Sequence, residues 1–183
     1  MNVLEEKISL LDENFEIKNK VNLIHKIKER IKNKKKREKY NPTYIEIIVE
    51  ALKEKLRGKN KNFSDLNLEE WLDPDGIASN FAKKAKIERT QLRKYFDEIK
   101  NIKVSLKGLK ENEDLPPETR IKLMTLIPKF AYAKGRDLIG EDVYEFFSYS
   151  LRKIKEGKIK DFEAFENIIE SILAYHTYHK PRK

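Results

Sequence analysis

Cysteine is absent from the 183 residues, which excludes disulfides and thiolate metal sites. Glycine and proline number only six each, so few positions interrupt regular structure. With charged residues at 39% of the chain, long amphipathic helices with solvated faces are expected rather than strands. No apolar run reaches the roughly 18 residues needed to cross a bilayer. The stretch from Met1 to Asp12 mixes Glu and Lys among leucines and lacks the apolar core of a secretory signal. These absences predict a cytoplasmic protein without membrane contact. P-loop, dinucleotide glycine fingerprint and serine or cysteine nucleophile motifs are also missing, so neither an enzyme nor a cofactor is expected.

Charge of one sign is in excess. Lys and Arg number 40 against 31 Asp and Glu, a formal net charge of +9. Residues 1–60 hold 16 basic and 10 acidic side chains, so +6 of that excess sits in the first third. A polyanionic partner fits this balance, as does plain solubility. The run Lys34-Lys35-Lys36-Arg37 lies in a stretch without apolar residues and reads as a solvated helix end, a linker or a counterion-releasing contact.

Apolar residues recur at three- and four-residue steps along most of the chain. Leu4, Ile8, Leu11 and Phe15, then Ile17, Val21, Ile24 and Ile31, mark an N-terminal helical segment. Asn41-Pro42 predicts a helix start before Tyr44, Ile47, Ile48 and Leu52, ending by Gly58. Asp73-Pro74-Asp75-Gly76 is a turn, and another helix follows with Ile77 and Phe81. Further helices carry Leu92, Phe96 and Ile99; Leu123, Ile127, Phe130 and Ala131; Val143, Phe146, Phe147 and Leu151; and Phe162, Phe165, Ile169, Ile172 and His176. Pro128 predicts a kink in the second of these. The expected architecture is all-α: a helical bundle of about five core helices with an extra N-terminal helical segment. Residues 1–60 form a basic N-terminal helical extension, and residues 61–183 the bundle domain.

Several clusters have a functional and a bland reading. Lys122, Lys129 and Arg136 recur every seven residues, with Tyr132 and Lys134 between the last two. Cations in a row suit successive phosphates, and an aromatic beside them suits a base; a solvated basic edge with Tyr132 in the core is the alternative. Lys86, Arg89, Arg93 and Lys100 form a second basic stripe, although Asp97 lies four residues after Arg93 and suits a weak intrahelical pair. His176 continues an apolar face and reads as a neutral, hydrogen-bonded structural histidine. With His179 it lacks a third metal ligand, so no metal site is expected. Asp73-x-Asp75-Gly76 imitates the opening of a calcium loop, but the twelfth position is Lys84 rather than glutamate. Glu163, Glu166 and Glu170 read as a solvated edge or as an acidic patch meeting a basic neighbour.

Three segments in order resemble one family: Thr90-Gln91-Leu92-Arg93-Lys94-Tyr95-Phe96, then Lys129-Phe130-Ala131-Tyr132-Ala133-Lys134-Gly135-Arg136, then Phe162-x-x-Phe165 leading to Leu173-Ala174-Tyr175-His176. Their order and spacing are similar to the small subunit of the type III-A CRISPR (Csm) effector complex, from about Ile77 to His179. The first 70 residues or so have no counterpart in that pattern. The resemblance implies a non-catalytic helical subunit repeated along the guide–target RNA duplex in antiviral defence. Its partners would be guide RNA, target RNA, other Csm subunits and neighbouring copies of itself, with a homodimer as one form of self-association. The expected RNA-binding residues are Lys86, Arg89, Arg93, Lys122, Lys129, Tyr132, Lys134 and Arg136. A helical protein–protein adapter without direct RNA contact is the competing function, and a ribonuclease using His176 a remote third.

Overall fold

A computed structural model describes residues 42–180 together with His25, Glu29 and Asn33. The N-terminal apolar repeat and the run Lys34–Arg37 lie outside the described residues. From Tyr44 onward the elements are α1 (Tyr44–Lys55), a 3-10 turn (Phe63–Asp65), α2 (Leu68–Leu72), α3 (Ile77–Lys84), α4 (Arg89–Val104), α5 (Pro117–Gly135), α6 (Glu141–Ile154) and α7 (Ile159–His179). The fold is all-α; among the described residues the only β pairing is two isolated bridges, Ile87 with Ile139 and Asp114 with Lys158.

Helix ends are set by identifiable caps. The first helix starts later than Asn41-Pro42 suggests, because Thr43 is the N-cap: its Oγ1 accepts from the Glu46 N–H, and the Glu46 carboxylate accepts from the Thr43 N–H. This reciprocal pair satisfies two donors that a helix start leaves open. At α5, Pro117 occupies the first helical position, where its missing N–H costs nothing. The same helix runs uninterrupted through Pro128, so the segment is not split into two helices there. Asp161 is the third residue of the last helix. From there its carboxylate accepts from the Lys158 N–H at 2.8 Å and from the Ser64 N–H at 3.1 Å, tying α7 to the 3-10 turn. Asp137, at φ 59°, takes the left-handed conformation that ends α5.

One apolar cluster runs through all of these elements. Helix α7 is the central post: α3 and α4 pack on it, while α1 and α5 pack on α6. Ile45, Ile47, Ile48, Val49 and Leu52 of α1 are buried in the same core as the later helices, although α1 precedes the boundary drawn at residue 60. Tyr95, Phe130 and Phe147 form a stack joining α4, α5 and α6, with ring centroids 3.9 and 4.2 Å apart. Ala131 faces solvent, and Ala133 takes the expected core position beside Leu126.

Of the polar groups buried in this core, two bear on the sequence reading. His176 is 2% exposed, and its Nε2–H donates to the Ile87 carbonyl at 3.1 Å. This is the neutral structural histidine that the sequence suggests. Burial lowers its pKa below 6.5, helped by Lys180 and Arg89, against the opposing pull of the Ile87 carbonyl. Because the unfolded chain takes up the proton first, stability is complete above about pH 6.5 and falls as pH drops toward the folded value. Unfolding midpoints of the native chain should therefore decline between about pH 7 and 5. In His176→Gln that decline should be shallower; an unchanged slope would contradict the assignment.

Glu166 is the second. It is fully buried, which a solvated edge is not, and it meets basic neighbours on α4: Lys103 Nζ lies 2.6 Å from Oε2 and Lys100 Nζ 4.0 Å from Oε1. The hydrogen bond to Glu166 holds the Lys103 pKa above its ordinary value. Lys100 also reaches Glu170 at 3.4 Å. Cations on this side of α4 thus serve to clamp α4 onto α7.

Candidate nucleic-acid interface

Helices α4 and α5 border a cleft of about 350 Å³. From α4 come Gln91, Lys94 and Tyr95; from α5 come Pro128, Lys129 and Tyr132, joined by the C-cap residue Arg136, and Leu138 completes the lining. The spacing explains the convergence, since residues three, four and seven apart share one helix face. Positions 129, 132 and 136 form that face on α5, and 91, 94, 95 and 98 form it on α4.

Tyr132 is 65% exposed, so it is not part of the core. The Arg136 guanidinium lies 5.7 Å from its ring centroid, and Nη1 donates to the Tyr132 hydroxyl at 3.3 Å. The two side chains therefore present one amphipathic surface: a π face beside a fixed fork of N–H donors. Beneath it, the Tyr95 hydroxyl donates to the Lys129 carbonyl at 3.1 Å, and burial raises its pKa with help from Glu98. The floor is rigid and neutral while the rim is cationic.

Lys129 pairs with Glu98 across the cleft. Lys94 and Arg136 have no carboxylate partner among the described residues, so the cleft is positive overall. An exposed pair such as Lys129–Glu98 is worth only about 0.2–1 kcal/mol and gives way to a phosphate with little loss. Lys94, adjacent to Arg93 in sequence, is the cleft cation that sequence reasoning missed; only the packing of α4 on α5 reveals which neighbour faces inward.

The other expected residues are placed as follows. Lys122 is exposed on α5, two turns before Lys129 and outside the cleft lining. Lys134 turns away from the cleft, pairs with Glu141 and sits 5.5 Å over the Tyr144 ring. Lys86 pairs with Asp137 at 2.5 Å, just past the end of α5. Arg89 donates to the Lys180 and Thr177 carbonyls at the end of α7. Arg93 is exposed one turn further along α4 and does not line the cleft. The two basic stripes therefore meet around the start of α4 rather than along its length.

The histidine pair is engaged elsewhere. His176 bonds Ile87, and His179 Nε2 hydrogen-bonds with Ser79 Oγ at 2.9 Å. In the Asp73–Gly76 turn, Asp73 Oδ1 accepts from the Asp75 N–H at 2.8 Å, a local turn bond. Among the described residues, no group of three or more acidic, histidine or cysteine side chains is arranged to hold a metal, and no helix is long and apolar enough to cross a membrane.

No curated protein and no solved structure matches the chain. The family model described as Csm2 Type III-A matches residues 65–182, which takes in the cleft, both clamping helices and all three motif segments. The chain belongs to the Csm2 Type III-A family, the small subunit of the type III-A CRISPR effector complex.

Proposed function

We propose that this small subunit binds RNA directly, without catalysis, through the α4–α5 cleft, and that copies of it line the guide–target RNA duplex in antiviral defence. The observation that carries the reading is the exposed Tyr132–Arg136 pair, beside Lys129 on the same face of α5, facing Lys94 from α4. Phosphates at regular spacing need cations in a row, and a solvent-facing ring stacks on bases of any sequence. Guide and target RNA, other Csm subunits and neighbouring copies of the chain are its partners in this account.

A competing adapter reading draws on the opposite flank of α5. There Ile121, 66% exposed, joins Met124, Thr125 and Pro128 in a largely apolar groove of about 480 Å³, a surface suited to a neighbouring protein. Reconstitution of the effector complex with Lys94, Lys129 and Arg136 all changed to Ala separates the two. Direct binding predicts normal assembly with weakened capture of target RNA. Normal capture by the variant complex would favour the adapter.

A further inference from the structure

A second exposed aromatic stands on α7. Tyr178, in the last turn of α7, is 77% exposed. Its ring meets the His179 imidazole edge to face at 5.0 Å, and His179 in turn stacks at 6.2 Å on Tyr175. Tyr175 is fixed by a 2.6 Å hydrogen bond from its hydroxyl to the Leu72 carbonyl, and His179 by Ser79. An exposed ring backed by two anchored rings is a prearranged platform.

The surroundings are cationic. The His179 pKa is lowered by burial and then by Lys83 and Lys180, and that of His176 by burial, Lys180 and Arg89. Lys83 is exposed in the last turn of α3, with no carboxylate partner among the described residues. Lys180 donates to the Ala85 carbonyl at 2.8 Å while Arg89 holds the Lys180 carbonyl. These bonds fix the backbone beneath the platform.

This region abuts the α4–α5 cleft. The Ile87–Ile139 bridge and the 2.7 Å hydrogen bond from the Gly140 N–H to the Lys86 carbonyl join the segment before α4 to the segment after α5. Lys86 spans the junction to Asp137, the residue after Arg136. The acidic groups at this crossing are Asp137, already paired with Lys86; Glu88, exposed at the α4 N-cap; and Glu141 and Asp142 beside Gly140, engaged by Lys134 and by the Thr43 hydroxyl.

The geometry points to one continuous single-stranded RNA track, running from Tyr132 and Arg136 past Lys86 and Arg89 to a second stacking platform at Tyr178, flanked by Lys83. This rests on the RNA-binding reading above and extends it: each copy would hold a strand at two aromatic stations rather than one. Charge favours nucleic acid over an apolar peptide here, because Lys83 and Lys180 both act on His179, the ring that backs Tyr178.

Anisotropy with labelled oligouridines of about 6 and about 20 nucleotides tests the track, since one station suffices for the short strand and both serve the long one. The full chain should bind the long strand more tightly. Combined Tyr178→Ala and Lys83→Ala should lower long-strand affinity about tenfold and leave short-strand affinity unchanged, whereas Tyr178→Phe, which keeps the ring, should bind as the native chain does. Both changed side chains are exposed, and circular dichroism would verify the fold. Unaltered long-strand binding by the double variant, with binding still lost in the cleft variant, would overturn the track and spare the cleft. Failure of the native chain to bind either strand would overturn both.

Discussion

Changing Lys94, Lys129 and Arg136 together to alanine is expected to lower affinity for single-stranded RNA on the order of 100-fold at low salt, about 1 kcal/mol for each charge-assisted contact. Loss should be uniform across sequences, because phosphate contacts carry no base information. The salt dependence should change too. With each neutralised phosphate contributing a slope of about −0.7 on single strands, removal of three cations should flatten the log–log plot by about two. Lys134→Ala is the informative contrast: it pairs with Glu141 outside the cleft and should leave both affinity and slope near native values. Anisotropy titrations at several salt concentrations measure all of this, and a triple variant with native slope would place the RNA contacts elsewhere.

The second large effect concerns the floor of the same cleft. Phe130 is fully buried and stacked between Tyr95 and Phe147, so it joins the helix carrying Lys94 to the helix carrying Lys129 and Tyr132. Phe130→Ala removes both ring contacts and leaves a cavity that three helices cannot all close. The expected cost is about 3–5 kcal/mol, which lowers the thermal midpoint by about 10 °C or more for a domain of this size. Tyr132→Ala, two residues away but exposed, should change stability by less than about 0.5 kcal/mol while weakening RNA binding. Calorimetry or circular dichroism melting separates the two. Equal destabilisation by both variants would mean that Tyr132 serves packing rather than recognition.

These residues also show which features periodicity can reveal. Phe130, Phe147 and Leu92 repeat at helical intervals, and burial follows from that pattern alone. The α5 face carrying Lys129, Tyr132 and Arg136 was equally legible, because intrahelical spacing fixes it. Placement across helices was not. Lys94 and Arg93 are chemically alike and adjacent, yet only Lys94 lines the cleft, a choice made by how α4 rolls against α5. Glu166 reads in sequence either as a solvated edge or as an acidic patch meeting a basic neighbour; that the neighbours are Lys103 and Lys100 of α4 is a contact more than 60 residues apart in the chain, which leaves no local trace. Lys134 shares the basic segment of its neighbours and is drawn off by Glu141. Short elements were hidden for a different reason: the five residues of α2 are too few to establish a period. Its boundary depends on the Asn67 side chain accepting from the Glu69 N–H.

The most direct test is to cross-link single-stranded RNA containing 4-thiouridine to the native chain and map the attached residues by mass spectrometry. Direct binding at the α4–α5 cleft predicts adducts within residues 129–136, with Tyr132 foremost. Saturable binding whose adducts all fall outside the cleft, on the Lys100–Glu170 side of α4 for example, would contradict it.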